Sequence, residues 1–182
     1  VLTELPHCGL AQGYGMTELS GNAVFLSPED HRRAGADQPE LLAAAGRPGP
    51  LAGLRIVDED DHDVRAGEPG EILVRGDQVC AGCWNDPGAT AASRLGPWLR
   101  TGDVGRLVDG LLHVVDRKKG LIITGGENVY SREVEDVLCL HPEVAEVAVV
   151  GAPDAKWGET VVGVIRLRER AAGDEGALDA WC

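Results

Sequence analysis

The stretch LHVVDRKKGLII, residues 112–123, holds two apolar runs on either side of a charged segment. Residues 112–115 and 121–123 have the β-branched and aliphatic composition that favours strands. The charged segment between them ends in glycine, which is typical of a turn or a junction. We therefore predict a domain boundary here, with residues 1–116 in a first domain and residues 117–182 in a second.

The sequence before the boundary has the pattern of a β-rich domain. Short apolar runs stand at residues 54–57, 71–75 and 112–115. The segment Gly67-Glu68-Pro69-Gly70 between two of them is composed of turn residues. Asp86 followed by Pro87 predicts a short helix that continues to Ala92, because aspartate caps helices and proline is tolerated at the first helical position.

One amphipathic helix is predicted after the boundary. Its apolar face carries Val134, Val137 and Leu138 at helical spacing. We expect Ser131 to cap its N-terminus, and we expect the helix to end at His141-Pro142 because proline cannot continue a helix.

The other apolar runs of the second domain are predicted strands. They are residues 121–123, 144–150 and 160–167, with the last two on either side of a Pro153-Asp154 turn. The order is then strand, helix, strand, strand. The fold class is therefore α/β in its α+β form, with a β-rich part followed by a small α+β part.

The N-terminal segment, residues 1–23, carries four glycines around a polar centre. Glycine permits a positive φ angle or a close approach of the backbone to another group. We therefore predict a ligand-binding loop in this segment.

Composition limits the classes of partner. The chain has 30 acidic and 17 basic residues and a formal net charge of −13, which repels nucleic acid and anionic membrane surfaces. It has no apolar stretch of the length that a transmembrane helix needs and no signal-peptide pattern. Five cysteines, an odd number, argue against a disulfide framework, and we expect a reduced, cytoplasmic location. For Cys80 and Cys83, a lone CxxC, an ordinary packed loop is favoured over zinc or redox chemistry.

Five segments carry a resemblance to a known family, and they occur in that family's order. They are Gln12-Gly13-Tyr14-Gly15-Met16-Thr17-Glu18, and residues 67–76, 98–103, 116–120 and 125–129. Together they resemble the motifs of the adenylate-forming superfamily, which contains acyl-CoA ligases, nonribosomal adenylation domains and beetle luciferases. Lys156-Trp157-Gly158-Glu159 is most similar to the fatty-acyl-CoA ligase branch.

The resemblance implies a nucleotide and metal site in the first motif. Gly13, Tyr14 and Gly15 would bind adenine, since the Tyr14 ring offers a flat stacking face and the glycines allow close approach. Thr17 would donate its hydroxyl to phosphate, and Glu18 would be the Mg²⁺ ligand. The simpler alternatives are a loop anchor for Tyr14 and, for Glu18, a solvated surface carboxylate or a cap on the following segment.

The later motifs imply further site residues. Asp103 would accept hydrogen bonds from the ribose hydroxyls, and Arg117 would supply a planar donor fork to ribose or phosphate. Lys119 matches the family's hinge between two domain orientations. Gly125 and Gly126 match the segment that borders the pantetheine tunnel. The simpler alternatives are an Asx turn at Asp103, surface cations at Arg117 and Lys119, and a hairpin turn at the glycine pair.

By this resemblance the protein is an ATP-dependent acyl-CoA ligase with Thr17, Glu18 and Arg117 as its catalytic residues. ATP and a carboxylic acid give an acyl-adenylate and pyrophosphate, after which coenzyme A displaces AMP. ATP/AMP, Mg²⁺ and coenzyme A are the implied ligands. A domain that loads a carrier-protein thiol and a non-catalytic nucleotide-binding remnant are the open alternatives.

The chain also departs from the family pattern. Ser131 stands where proline is usual, Cys83 stands where an aromatic residue is usual, and the hairpin at residues 108–110 is one residue short. The family's phosphate loop and its C-terminal lysine have no counterpart in residues 1–182. We therefore expect a C-terminal fragment, comprising the last part of a large N-terminal domain and a truncated small domain, that is inactive alone.

Overall fold

The computed structural model describes Glu4 and residues 7–169 and 175–182, and it gives the backbone alone at Lys119, Glu175, Ala177 and Asp179. The chain divides into two compact units, Val1–Val114 and Val115–Cys182. The strand-rich mixture of helices and strands confirms the predicted α+β class. The assignment of the two units to parts of a large and a small domain stays a prediction.

The first unit begins with a three-stranded antiparallel sheet, in the order β1-β2-β3. Its strands are β1 (Gln12–Met16), β2 (Gly21–Leu26) and β3 (Arg47–Pro48). The predicted loop before residue 23 is therefore wrong in form, because β1 and β2 pair as a hairpin around a 3-10 turn, Thr17–Leu19. The glycines of this hairpin carry no apolar pattern from which a strand could be predicted. Ala23, Val24 and Leu26 of β2 are fully buried and anchor the hairpin.

A second sheet has five strands, in the order β4-β5-β7-β6 with β8 paired to β7, and β8 continues past Val114 into the second unit. Its strands are β4 (Gly53–Val57), β5 (Gly70–Arg75), β6 (Arg94–Leu95), β7 (Trp98–Val108) and β8 (Leu111–Arg117). Helices α1 (Pro28–Ala36) and α2 (Pro87–Ala92) lie between strands in the chain. The predicted cap is confirmed, since the Asp86 carboxylate accepts a hydrogen bond from the Ala89 N–H at 2.8 Å.

The core of the first unit joins both of its sheets. Ile72 and Val74 of β5, Leu99 of β7 and Leu112 of β8 pack with residues of the first hairpin, among them Val24. All five are at most 1% exposed. Removal of this apolar area from water holds the β1–β2 hairpin against the larger sheet.

The second unit is a four-stranded antiparallel sheet in the order β10-β9-β12-β11. Its strands are β9 (Leu121–Thr124), β10 (Glu127–Tyr130), β11 (Val144–Asp154) and β12 (Gly158–Leu167), and its helices are α3 (Ser131–Cys139) and α4 (Glu175–Trp181). The sequence analysis missed β10 and α4. Ile122, Leu138, Val144 and Val149 form its buried core with Leu178 of α4.

Two local predictions in this unit are wrong. The turn between β11 and β12 lies at residues 155–157, so Pro153 lies inside β11, paired with Glu159. A proline is tolerated there because β11 is an edge strand and one side of it needs no N–H donor. Val137, expected on the buried face of α3, is 39% exposed.

The predicted cap of α3 is also wrong. Tyr130 is the N-cap residue and makes no side-chain cap bond, and Ser131 is the first residue of the helix. The Ser131 hydroxyl instead donates to Asp116 Oδ2 at 2.9 Å, and the Arg132 N–H donates to the same oxygen at 3.3 Å. The carboxylate that satisfies this helix end is therefore supplied by β8.

Within the described ranges, every helix falls short of the length and apolar character that crossing a membrane requires.

Candidate functional site

A hydrogen bond between two residues from different motifs marks the centre of the candidate nucleotide site. Tyr14 of β1 donates its hydroxyl hydrogen to Asp103 Oδ2 of β7 at 2.7 Å, across 89 residues of sequence. Both side chains are partly buried. A phenol that donates to a carboxylate makes a charge-assisted bond, which fixes the ring and the carboxylate relative to each other.

Thr17 and Glu18 follow directly after β1, in the 3-10 turn Thr17–Leu19. Both are exposed, whereas Leu19 is 1% exposed and anchors the turn in the core. The Glu18 carbonyl oxygen accepts a hydrogen bond from the Cys80 N–H at 2.8 Å. The turn therefore holds the Glu18 backbone while its carboxylate faces solvent.

The Glu18 carboxylate is the candidate ligand for Mg²⁺. No cluster of three or more His, Cys, Asp or Glu side chains suitable for a metal occurs among the residues that the structure describes. Mg²⁺ keeps several waters and is usually bound by one or two carboxylates together with substrate phosphates. A single exposed Glu18 in the 3-10 turn Thr17–Leu19 fits that mode of binding, and it does not fit a closed protein cage.

Gly13 and Gly15 have a structural reason within the hairpin. A Cβ atom at Gly15 would overlap the backbone of Gly21, and one at Gly13 would overlap the Asn22 side chain. Close approach of the β2 backbone therefore requires Gly15, and a Cβ atom at Gly13 would displace the Asn22 side chain, whereas the sequence analysis had attributed both glycines to a ligand. Their contact with a nucleotide stays a prediction.

Arg117 and Lys119 belong to the second unit. Arg117 ends β8 with its side chain exposed, and its N–H donates to Asp116 Oδ1 at 2.6 Å. The backbone of Lys119 lies in the 3-10 turn Lys118–Gly120, and its side chain lies outside the described part of the chain. The ligand role of Arg117 and the hinge role of Lys119 stay predictions.

Gly125 and Gly126 form the turn between β9 and β10, where Thr124 pairs with Glu127. Their φ angles are +60° and +87°, which matches the favoured two-residue hairpin turn. The Gly125 N–H donates to the Trp157 carbonyl at 3.0 Å, and a Cβ atom at Gly125 would lie 2.9 Å from the Trp157 ring. The hairpin alternative therefore describes the backbone here, and the contact with pantetheine stays a prediction.

Two residues that the sequence analysis gave no role support the candidate site. Thr101 precedes Gly102 and Asp103, and its hydroxyl accepts a hydrogen bond from the Asp103 N–H at 3.1 Å. Asp116 accepts hydrogen bonds at both of its carboxylate oxygens, beside Arg117. A threonine two residues before an aspartate was a signal for such a turn. The contacts of Asp116 link segments that are distant in sequence, so no local pattern reveals them.

Comparison with known protein families now decides the assignment. A family model described as AMP-binding enzyme matches residues 2–84, and one described as AMP-binding enzyme C-terminal domain matches residues 133–182. Together they match more than half of the chain. The chain belongs to the AMP-binding enzyme family.

Proteins similar to this AMP-binding enzyme include a CoA ligase and an amide bond synthetase. A medium/long-chain-fatty-acid–CoA ligase, FadD8 of Mycobacterium tuberculosis, is 45% identical over 171 residues, which is 93% of this chain and 29% of that protein. The amide bond synthetase McbA of Marinactinospora thermotolerans has a TM-score of 0.83 and 42% identity, over 94% of this chain and 34% of that one.

A third comparison involves a bound reaction intermediate. The o-succinylbenzoate CoA synthetase of Bacillus subtilis, solved in complex with an acyl-adenylate, has a TM-score of 0.83 and 40% identity, over 100% of this chain and 36% of that one. This AMP-binding enzyme chain therefore spans about a third of the length of the proteins that it matches.

Proposed function

We propose that the whole protein is an ATP-dependent acyl-CoA ligase. A carboxylate oxygen attacks the α-phosphorus of ATP, and pyrophosphate leaves. The sulfur of coenzyme A then attacks the acyl carbon, AMP leaves and the thiol proton is released. The observation that carries this proposal is the Tyr14–Asp103 hydrogen bond, which joins two motifs of the AMP-binding family at 2.7 Å.

Tyr14 and Asp103 would hold the adenosine part of ATP. The Tyr14 ring offers a flat face for adenine, and its hydroxyl is already used by Asp103. A carboxylate has about four acceptor sites, so Asp103 can accept from Tyr14 and from two ribose hydroxyls at once. One hydrogen bond thereby couples base recognition to ribose recognition.

Thr17, Glu18 and Arg117 would bind the charged part of the nucleotide. The Thr17 hydroxyl donates to phosphate, and the Arg117 guanidinium supplies a planar donor fork. Glu18 would hold Mg²⁺, whose charge offsets that of the phosphates. These groups lower the barrier through positioning and charge neutralisation, so no general base is needed from this chain.

The thiol step would use the second unit. Lys119 is the proposed hinge, and Gly125 and Gly126 are the proposed border of the pantetheine path. The glycine pair has the positive φ angles that a hairpin turn requires. It also carries no side chain that would keep pantetheine away from the backbone.

A second acceptor class is favoured by one comparison. The amide bond synthetase McbA is 42% identical over 94% of this chain. An acyl-adenylate can react with an amine as well as with a thiol, and the thiol itself can be free coenzyme A or a carrier-bound phosphopantetheine. The first half-reaction is common to all three acceptors.

The test is to incubate the whole purified protein with ATP, Mg²⁺ and a panel of fatty and aromatic carboxylic acids. We expect pyrophosphate release that depends on the acid, and an acyl-CoA product by mass spectrometry once coenzyme A is added. Acid-dependent release followed by transfer only to an amine or a carrier would replace the ligase proposal with that acceptor class. Release that does not depend on any acid would contradict adenylate formation.

A further inference from the structure

Strand β7 contains an irregularity just before the proposed ribose ligand. Glu71 of β5 pairs with Val104, and Leu73 pairs with Arg100. One residue of β5 therefore faces three residues of β7, namely Thr101, Gly102 and Asp103. Such a bulge bends a strand and turns side chains away from their regular direction.

Gly102 allows the bulge to form. Its φ angle is +73°, a region that is costly for residues with a Cβ atom. Among the residues that the structure describes, no atom beyond the two chain neighbours lies within 4 Å of the position of a Cβ there, so the backbone angle and not crowding requires glycine.

The Thr101 hydroxyl bridges the bulge. It donates to the Ile72 carbonyl at 2.8 Å and accepts from the Asp103 N–H at 3.1 Å. Thr101 is 9% exposed, and Ile72 is fully buried. One buried hydroxyl thus replaces the ladder hydrogen bonds that the bulge removes from both strands.

Asp103 is held from two directions as a result. The Thr101 hydroxyl fixes its backbone, and the Tyr14 hydroxyl fixes its carboxylate at 2.7 Å. We propose that Thr101 is a positioning residue for nucleotide recognition, which sets the orientation of Asp103 towards the ribose hydroxyls of ATP. The proposal rests on the proposed function, because it takes Asp103 as the ribose ligand.

The experiment compares ATP with 2′,3′-dideoxy-ATP in acid-dependent pyrophosphate release by the whole protein. Hydrogen bonds to a charged group give the wild type a preference for ATP of about tenfold or more in kcat/KM. Thr101→Val keeps the shape and removes the hydroxyl, so we expect the preference to fall about fivefold. Thr101→Ser keeps the hydroxyl, and we expect its preference to stay within about twofold of wild type.

Asp103→Ala separates failure of this proposal from failure of the proposed function. If Asp103→Ala and the wild type show the same preference, Asp103 is not the ribose ligand and that part of the proposed function fails. If Asp103→Ala loses the preference while Thr101→Val keeps it, only the role of Thr101 is overturned. A purely structural threonine would lower the rates with both nucleotides equally, which also overturns it.

A second measurement needs no variant and therefore does not depend on Thr101→Val folding. Amide hydrogen exchange of the wild-type protein, read by NMR, reports the Asp103 N–H. We expect protection of about 100-fold or more, because that amide donates to the hydroxyl of Thr101, which is itself buried. Exchange at the rate of an unstructured amide would overturn the proposal.

Discussion

The hydroxyl of Tyr14 donates a hydrogen bond to the Asp103 carboxylate at 2.7 Å. It fixes the ring plane of Tyr14 and one carboxylate oxygen together. Neither group has to search for its orientation when a nucleotide binds, which lowers the entropy cost of binding. In the proposed function, the pair would provide specificity towards adenosine at the level of two residues.

Tyr14→Phe tests this pairing, because it keeps the aromatic face and removes only the donor. We expect the KM for ATP to rise about three- to tenfold with kcat near wild type, because the change removes one hydrogen bond that orients the binding site. Tyr130→Phe is the matched control. Its phenol lies in the second unit, where burial, chiefly, and the carboxylates of Glu133 and Asp116 raise its pKa. Equal effects of the two changes would contradict the pairing.

Glu18→Gln tests the metal carboxylate. A neutral amide removes a charge from the proposed Mg²⁺ site, so pyrophosphate release should fall about 100-fold or more and need higher Mg²⁺. Glu29→Gln is the control, since Glu29 is an exposed carboxylate of α1 that pairs with Arg32 at 3.6 Å. Release at a near wild-type rate in Glu18→Gln would return Glu18 to a solvated surface residue.

Helix α3 illustrates how one element depends on a residue outside it. The Asp116 carboxylate accepts from the Ser131 hydroxyl, the Arg132 N–H and the Arg117 N–H, so it stabilises both the helix start and the end of β8. A negative charge at a helix N-terminus also interacts favourably with the helix dipole.

Asp116→Ala should therefore destabilise α3 by about 1–3 kcal/mol. Ser131→Ala removes one donor and leaves Asp116 able to accept from the Arg132 N–H, so its effect should be below about 1 kcal/mol. Amide hydrogen exchange of the helix, followed by mass spectrometry, measures both free energies of opening. A larger loss for Ser131→Ala would mean that the serine is the principal cap after all.

The β9–β10 hairpin allows a test that separates the two half-reactions. Gly126→Leu places a side chain where pantetheine is proposed to pass, so acyl-CoA formation should fall at least about tenfold while pyrophosphate release in a single turnover persists. Gly67→Leu is the matched control for backbone strain. Gly67 has a φ angle of +86° against +87° for Gly126, and in the described part of the chain no atom beyond the chain neighbours lies within 4 Å of either Cβ position.

Circular dichroism should first show that both glycine variants are folded. Equal loss of both half-reactions in Gly126→Leu would make Gly126 a structural turn glycine, and so would the same thioester defect in Gly67→Leu.

The elements that the sequence predicted well are those whose signal is local. Asp86-Pro87 fixed the start of α2, and the apolar runs of β4 and β5 located both strands. Strand β1 was missed because glycines carry no apolar pattern, and α4 was missed because only Leu178 of its described side chains is buried. Pro153 was misplaced because its tolerance depends on β11 being an edge strand, which only the sheet order reveals.

At the scale of the whole molecule, the acidic composition shapes how a nucleotide can bind. A net charge of −13 opposes the approach of ATP, so the proposed binding needs a local cation, for which Arg117 is the candidate. Tyr14 and Asp103, the proposed ligands for adenosine, lie in the first unit, and Arg117 lies in the second.

The site could be predicted from the sequence only as far as motifs assign residues. Tyr14 and Asp103 were named separately, and their hydrogen bond appears only in the folded chain because 89 residues separate them. Thr101 lies inside the family motif at residues 98–103, but its contacts depend on the register of β5 against β7. Long-range pairing of this kind is not encoded in any short window of sequence.

The central claim is that the Tyr14–Asp103 pair belongs to the site where a carboxylic acid is adenylated. The most direct test is the exchange of labelled pyrophosphate into ATP by the whole protein, with and without the carboxylic acid. In the wild type we predict exchange that depends on the acid. In Asp103→Ala the exchange should fall about 100-fold or more. Circular dichroism should show that the variant is folded. Acid-dependent exchange at the wild-type rate in Asp103→Ala would contradict the account.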